Sequence, residues 1–291
     1  MSFMAGAIME NNGTISSLVK PILNFNLSQS FLGFPKRYID TKLHFPQKIL
    51  IDIKHENYQK IAAKRKIALE KGILDKSLDD WVNAIVSHKG KSLEAKIRLK
   101  GLGRDHWDDD EVWSLDIKIK GNNTIFGMKR FAIQHPKTRN FMVEWVAKKL
   151  FKYAGLFKLH YEFISVSING KEERIYAIED RGNKQSISEN SLREGLLFKI
   201  DNDFRSSSVA TELKAMNATA PLFYEVEFEP VNKQTIQKNS SLSRQYQQAR
   251  NLIESFRLKE VAPEKVFDLK KMGLFFAIVD LFGFYHAAEL A

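Results

Sequence analysis

Two runs of strict alternation in the middle of the chain constrain its fold most. Ala95-Lys96-Ile97-Arg98-Leu99-Lys100-Gly101 and Trp113-Ser114-Leu115-Asp116-Ile117-Lys118-Ile119-Lys120-Gly121 place apolar side chains at every second position. A period of two marks a half-buried strand, because successive side chains point to opposite faces. Two adjacent strands of this kind each present a row of basic side chains on one face. That face is either solvated or turned toward something anionic, and the functional reading depends on which.

Flanking signals place the pair in a longer β-rich region over 93–180. Residues 48–54 read as a strand. Residues 58–72 read as a helix, with Ile61, Ala62, Ala68 and Leu69 at helical spacing and Gly72 as its C-cap. Asp79 caps a short turn before a strand at 81–87, and Lys89-Gly90 turns the chain into the next strand. Downstream, 121–124 is a turn and 130–134 a short strand ended by Pro136. Residues 141–153 form an amphipathic helix on Met142, Trp145, Val146, Lys149 and Leu150, closed by Gly155. Strands at 163–168 and 174–179 flank Asn169-Gly170, a type I′ hairpin signal. Residues 181–195 are polar and loop-like or weakly helical, and 196–200 is a short strand. A mobile excursion follows with one strand at 223–228, then a helix at 243–257. Asp268 N-caps a last helix whose apolar run, 273–288, reads as a core helix. The chain thus divides into a partly irregular N-terminal arm (1–40), a β-rich region resembling a nucleotide-binding lobe (41–204), the excursion (205–242) and a helical segment (243–291).

With 291 residues, 44% of them hydrophobic, the chain holds enough apolar surface for one large domain or two small ones. The absence of cysteine excludes disulfides and cysteine-based zinc sites. A formal net charge of +10 favours anionic partners such as nucleotide phosphate, nucleic acid, acidic protein or a membrane surface. No compact basic run marks a nucleic-acid tail, and residues 1–8 are too short and lack the basic flank of a targeting segment. No run reaches the length of a membrane span. Neither a Walker A loop nor Gly-x-Gly-x-x-Gly nor Gly-x-Ser-x-Gly occurs. The densest group of potential metal ligands is Asp105, His106, Asp108, Asp109, Asp110 and Glu111. It lacks the glycine and spaced oxygens of a calcium loop and reads as an acidic tip paired with basic neighbours, while Trp107 and Trp113 read as core anchors.

Several stretches match a known family in order and spacing: Lys100-Gly101, Trp107, the strand over 113–120, Phe126-Gly127-Met128-Lys129, the helix ending at Gly155, Val166 with Asn169-Gly170, and Tyr176-Ala177-Ile178-Glu179. Over 93–201, and more weakly through 272–290, the chain resembles the CotH kinases, the spore coat protein H-like atypical protein kinases. The resemblance implies an α+β, atypical protein-kinase-like fold, with an antiparallel sheet, packed helices and an incomplete C-terminal lobe. It implies ATP and Mg2+ as cofactors, phosphorylation of protein Ser/Thr, and a serine-rich protein as substrate. Four residues carry over as cofactor-binding. Lys100 falls where the family has arginine before glycine, and Lys118 lies on the next strand within reach of phosphate. Glu179 sits in the adenine-proximal connector, and Lys199 matches a Tyr-Lys-like position. Leu102 to His106 departs from the family's small polar loop, and Arg174-Ile175 stand where a glycine is usual. The family's catalytic and metal-binding aspartates correspond to positions after Ala291, so no catalytic or metal residue is assigned and the expectation is a chain inactive alone. The alternative is a non-catalytic, envelope- or coat-associated binding module with a basic sheet face. Nucleic acid ranks below both. The compartment implied is the bacterial cytoplasm or cell envelope, with membrane contact only through an N-terminal anchor outside this chain.

Overall fold

The alternating runs close on themselves. A computed structural model describes residues 46–75, 77–182, 184–192, 195–200, 228–231 and 233–283. Seven strands form a closed barrel: β1 (Lys48–Asp52), β2 (Val82–His88), β3 (Lys91–Leu99), β4 (Leu115–Ile119), β5 (Arg130–Gln134), β6 (Tyr161–Ile168) and β7 (Arg174–Asp180). Their order around it is β1-β2-β3-β4-β5-β7-β6. All neighbours are antiparallel except β1 and β6, which pair in parallel with Ile49 opposite Val166 and Ile51 opposite Ile168. Ile49, Ile51, Val86, Ala95, Ile97, Leu115, Ile117, Phe131, Ile133, Ile164, Val166, Tyr176 and Ile178 form one buried cluster inside it.

This corrects the expected kinase-like antiparallel sheet with packed helices. Hairpin signals fix only neighbours in sequence and leave the outer strands of a sheet open. The inward row of β1 gains burial by lying beside β6, and closure removes the exposed edges that seven strands in an open sheet would present.

Helix α1 (His55–Lys71) closes one end of the barrel and stops at Gly72 in the left-handed conformation. Its Ile61 and Ala68, with Leu74 beyond it, join the interior cluster. Arg65 fastens it: Nε donates to the Trp107 carbonyl at 2.6 Å, and the guanidinium lies 5.2 Å from the Trp113 ring, which also stacks on Tyr58 at 5.4 Å. Ser77, not Asp79, caps the turn at Leu78–Asp80; the Asp80 carboxylate accepts from the Ser77 N–H at 2.6 Å in a capping box.

A second apolar cluster lies outside the barrel. There α2 (Val143–Tyr153) packs Ala147 and Phe151 against helix residues Leu274, Ile278 and Val279. Those three belong to α6 (Leu269–Phe282); after β7 and before α6 come α3 (Lys184–Glu189), a two-stranded sheet of β8 (Phe198–Ile200) and β9 (Phe228–Pro230), α4 (Lys233–Gln237) and α5 (Ser240–Arg257). A short helix therefore occupies part of 181–195. The last described helix starts at Asp268, whose carboxylate accepts from the Lys271 N–H, and is capped by a left-handed Gly283; the remainder of the apolar run, 284–288, lies outside the described residues. The expected arm over 1–40 and strand residues 223–227 lie outside the described residues. Among the described residues no helix is long and apolar enough to cross a membrane.

Gly101 has φ +90°, and a Cβ there would stand 2.0 Å from the imidazole of buried His106, whose Nδ1 pairs with Ser114 Oγ at 3.0 Å. Gly101→Ala is expected to destabilise the fold by about 2 kcal/mol or more, because strain and overlap add. Urea denaturation checks this; an unchanged midpoint contradicts it.

Candidate anion-binding site

The strands that bury one row of side chains inside the barrel carry the other row outside, and the outer row of β5, β6 and β7 is polar at one place. Lys100 follows the last residue of β3 and is held to β4 by its N–H donating to the Ser114 carbonyl at 2.9 Å. Gln134 ends β5. Glu179 pairs with Ala132 of β5 on one side and with Tyr161, the first residue of β6, on the other. Lys100 Nζ reaches across to donate to Gln134 Oε1 at 2.6 Å and to the Glu179 carboxylate at 2.7 Å. Lys100 is 7% exposed and Gln134 fully buried. Helix α2 lies against β6 and carries Glu144 and Lys148, an i,i+4 ion pair at 2.8 Å. The turn at Pro136–Arg139 contributes Arg139, and Arg181 follows β7.

The electrostatics of the pair are lopsided. Burial lowers the Lys100 ammonium to about 8; Glu179 opposes this, while Arg139 and Arg181 add to it. Burial would raise the Glu179 carboxyl, but Lys100, Arg139 and Lys148 overcome it and hold the group well below the usual carboxylate range. Burial is the main cause at Lys100, and the neighbouring cations act in the same sense on both groups, favouring the carboxylate and disfavouring the ammonium. Two polar atoms in the same place, Tyr161 Oη and Gln134 Nε2, are buried and face each other in a contact short of good hydrogen-bond geometry. Burial, then Glu179 and Glu144, push the Tyr161 hydroxyl above its usual range, so it stays a donor. A buried polar atom without a partner carries a real cost, and a bound group or water relieves it.

The four cofactor positions taken from the sequence separate. Lys100 and Glu179 meet. Lys118 is exposed on the outer face of β4, in register with Lys96 and Arg130, and makes no described hydrogen bond or ion pair to either of them. Lys199 lies in β8 opposite Glu229, in the separate two-stranded sheet, and its side chain is outside the described residues. Gln134, Tyr161, Arg139, Lys148 and Arg181 were not singled out by sequence. Only the i,i+4 pair of Glu144 and Lys148 leaves a trace there, since burial between helix and barrel is a tertiary property.

The rest of the basic face is partly neutralised. Asp116, 3% exposed, accepts from Arg130 Nε at 3.2 Å and Nη2 at 2.5 Å and lies 3.6 Å from Arg98. Both guanidiniums face Trp81, at 4.5 Å and 5.6 Å. The acidic tip is likewise engaged: Asp109 accepts two backbone N–H groups, Asp110 pairs with Arg65 and Glu111 with Arg174. A cleft of about 290 Å³ between α1 and the barrel end, lined by Ile61, Ile67, Leu74, Val82 and Leu99, is apolar and has the Lys64–Asp80 pair at its rim.

No protein-family model matches the chain, and no curated protein matches it. Geometry therefore carries the reading. The neighbouring cations Arg139, Arg181 and Lys148 suit the phosphates of the implied ATP. For the implied Mg2+, no three His, Asp or Glu side chains converge among the described residues.

Lys100→Met is expected to destabilise the protein by about 3 kcal/mol, because it leaves Glu179 buried without its partner. Lys100→Met with Glu179→Leu is expected to recover most of that loss, by chemical denaturation. The Glu179 pKa is lower folded than unfolded, so its contribution is complete above the usual 4.5 and is lost as pH falls below it. Urea midpoints between about pH 3 and pH 7 should fall less steeply on the acid side in Glu179→Gln than in the wild type.

Proposed function

We propose that the chain binds a nucleotide through its polyphosphate at the Lys100–Glu179 pair. The observation that carries this is a lysine–glutamate pair, withdrawn from solvent and surrounded by Arg139, Arg181 and Lys148, beside the buried Tyr161 hydroxyl and Gln134 amide. The resemblance of residues 93–201 to the spore coat protein H-like kinases supports a nucleotide over other anions. Arg139 and Lys148 neutralise phosphate oxygens, and the Tyr161 hydroxyl and Gln134 amide donate to them. Glu179 holds Lys100 in place until the anion competes for its ammonium. ATP when bound supplies a transferable phosphoryl group. Its transfer to Ser/Thr of a protein needs charge neutralised at the γ-phosphate, by metal or by guanidinium. Metal-dependent incorporation of labelled phosphate into a serine-rich protein would extend the reading from binding to phosphotransfer.

A second reading rests on Trp81 between Arg98 and Arg130 on the outer face of β3 to β5. There the barrel serves as a non-catalytic, envelope- or coat-associated module that holds an anionic partner on its basic side.

Calorimetric titration of ATP, ADP and inorganic tripolyphosphate distinguishes them. Dissociation constants from about micromolar to millimolar are expected for all three. Arg139→Gln and Lys148→Gln are each expected to weaken them roughly tenfold, the loss of one charge-assisted contact. Saturating anion should raise the Lys100 pKa from about 8 toward its usual 10.5, followed by NMR. No binding at about 10 mM ligand, an affinity too weak for any of these contacts, overturns the proposal.

A further inference from the structure

Phe141 stands in a conformation that the fold does not repay. Asn140 and Phe141 are consecutive non-glycine residues in the left-handed region, with φ 49° and 57°. A bulky side chain there is a genuine outlier, and such strain concentrates where a structure binds or acts. Burial offers no compensation: Phe141 is 59% exposed, and Met142 beside it 51%. The strained backbone is nonetheless locked. Phe141 N–H donates to the Pro136 carbonyl at 2.9 Å, Asn140 N–H to Lys137 at 3.2 Å, and Val143 N–H to Asn140 at 3.2 Å. Glycine would adopt this backbone without strain and make the same three bonds, so the phenyl ring is not there to build the turn.

Position supplies the reason. The ring meets the edge of His135, with centroids 6.4 Å apart and planes at 77°. His135 directly follows Gln134, which accepts from Lys100. Arg139, two residues before Phe141, is one of the charges felt by Lys100, Glu179 and Tyr161. The exposed ring thus stands on the short segment that joins β5 to α2, the segment that also carries Arg139.

We propose that Phe141 is the stacking platform for the base of the bound nucleotide, a planar aromatic heterocycle whose polyphosphate lies at Lys100. The proposal rests on the polyphosphate reading of that site. An exposed aromatic face takes any base without selecting among them. The Met142 side chain widens the platform with polarisable apolar surface. Base identity is then read weakly, and the phosphates set the orientation.

Titration of ATP and inorganic tripolyphosphate into the full chain, wild type and Phe141→Gly, tests it. The variant is expected to lose about tenfold in ATP affinity, the worth of one stacked base. Its affinity for tripolyphosphate should not change, and its melting temperature should hold or rise as the strain is released. Phe141→Trp should keep the ATP affinity. If Phe141→Gly binds ATP within about twofold of wild type, against the tenfold worth of a stacked base, the platform is overturned and the phosphate site stands. Equal loss of both ligands also overturns it, because the residue would then act on the phosphates. Wild-type protein that binds neither ligand removes the polyphosphate reading and the platform with it.

Discussion

The parallel pairing of β1 with β6 is the constraint on which the rest depends. Without it the seven strands would be an open sheet with two edges. One residue joins that pairing to the hairpin beside it. Asn169 sits at the β6–β7 turn with φ 51°, donates its N–H to the Ile51 carbonyl at 2.8 Å, and accepts the Ile53 N–H on Oδ1 at 2.6 Å. An asparagine tolerates the left-handed turn and its side chain mimics a backbone acceptor. The same residue therefore turns the chain and extends the ladder of β1 past its last strand residue. Once the barrel is closed, the apolar rows meet in its interior, and α1 needs only a few apolar residues to close the end.

The Lys100–Glu179 pair answers to a different economy. Replacing a buried ion pair with apolar residues of similar size is often neutral or stabilising, so its presence is weak support for the fold. Here the imbalance is more informative than the pair. A pair evolved only for stability would be expected to approach neutrality with its neighbours. Lys100 and Glu179 instead feel Arg139, with Arg181 acting on the lysine and Lys148 on the glutamate. The contrast with Asp116 is useful. That carboxylate is equally buried, yet Arg130 holds it bidentately and Arg98 completes it. In one cluster the carboxylate is clasped by two guanidiniums; in the other it has a single ammonium partner and feels further cations at longer range.

Much of the local structure was legible because local chemistry decides it. Lys89-Gly90 and Asn169-Gly170 both adopt positive φ as hairpin turns require, and Gly72 ends α1 as a left-handed cap. Closure was not legible, because a period of two says which face a residue takes and nothing about which strand lies beside it. Lys100 and Glu179 could be singled out on resemblance, yet their contact joins residues 79 positions apart. Lys118 looked equivalent to Lys100 because both belong to basic outer rows. The difference is that α2 and the turn at Pro136–Arg139 lie near Lys100, while Lys118 stays in solvent. Asp116, a polar position of the alternating strand, is buried because Arg98 and Arg130 gather over it beside Trp81. Phe141 reads in sequence as the first residue of the helix at 141–153, yet it stands in the left-handed region before α2 begins at Val143, since a backbone outlier has no signature in spacing.

The core and the candidate site are two faces of the same strands, and this couples them more tightly than any single contact. On β5, Phe131 and Ile133 point into the barrel while Ala132 and Gln134 point out; on β7, Ile178 points in while Ala177 and Glu179 point out. A register slip of one residue between these strands would send the polar row inward and the apolar row to the surface. The burial of Phe131, Ile133 and Ile178 thus fixes the position of Glu179 beside Gln134 without help from the polar groups themselves. That rigidity lets a site keep clustered charge in place: the apolar interior holds the strands where the outer polar residues alone would not.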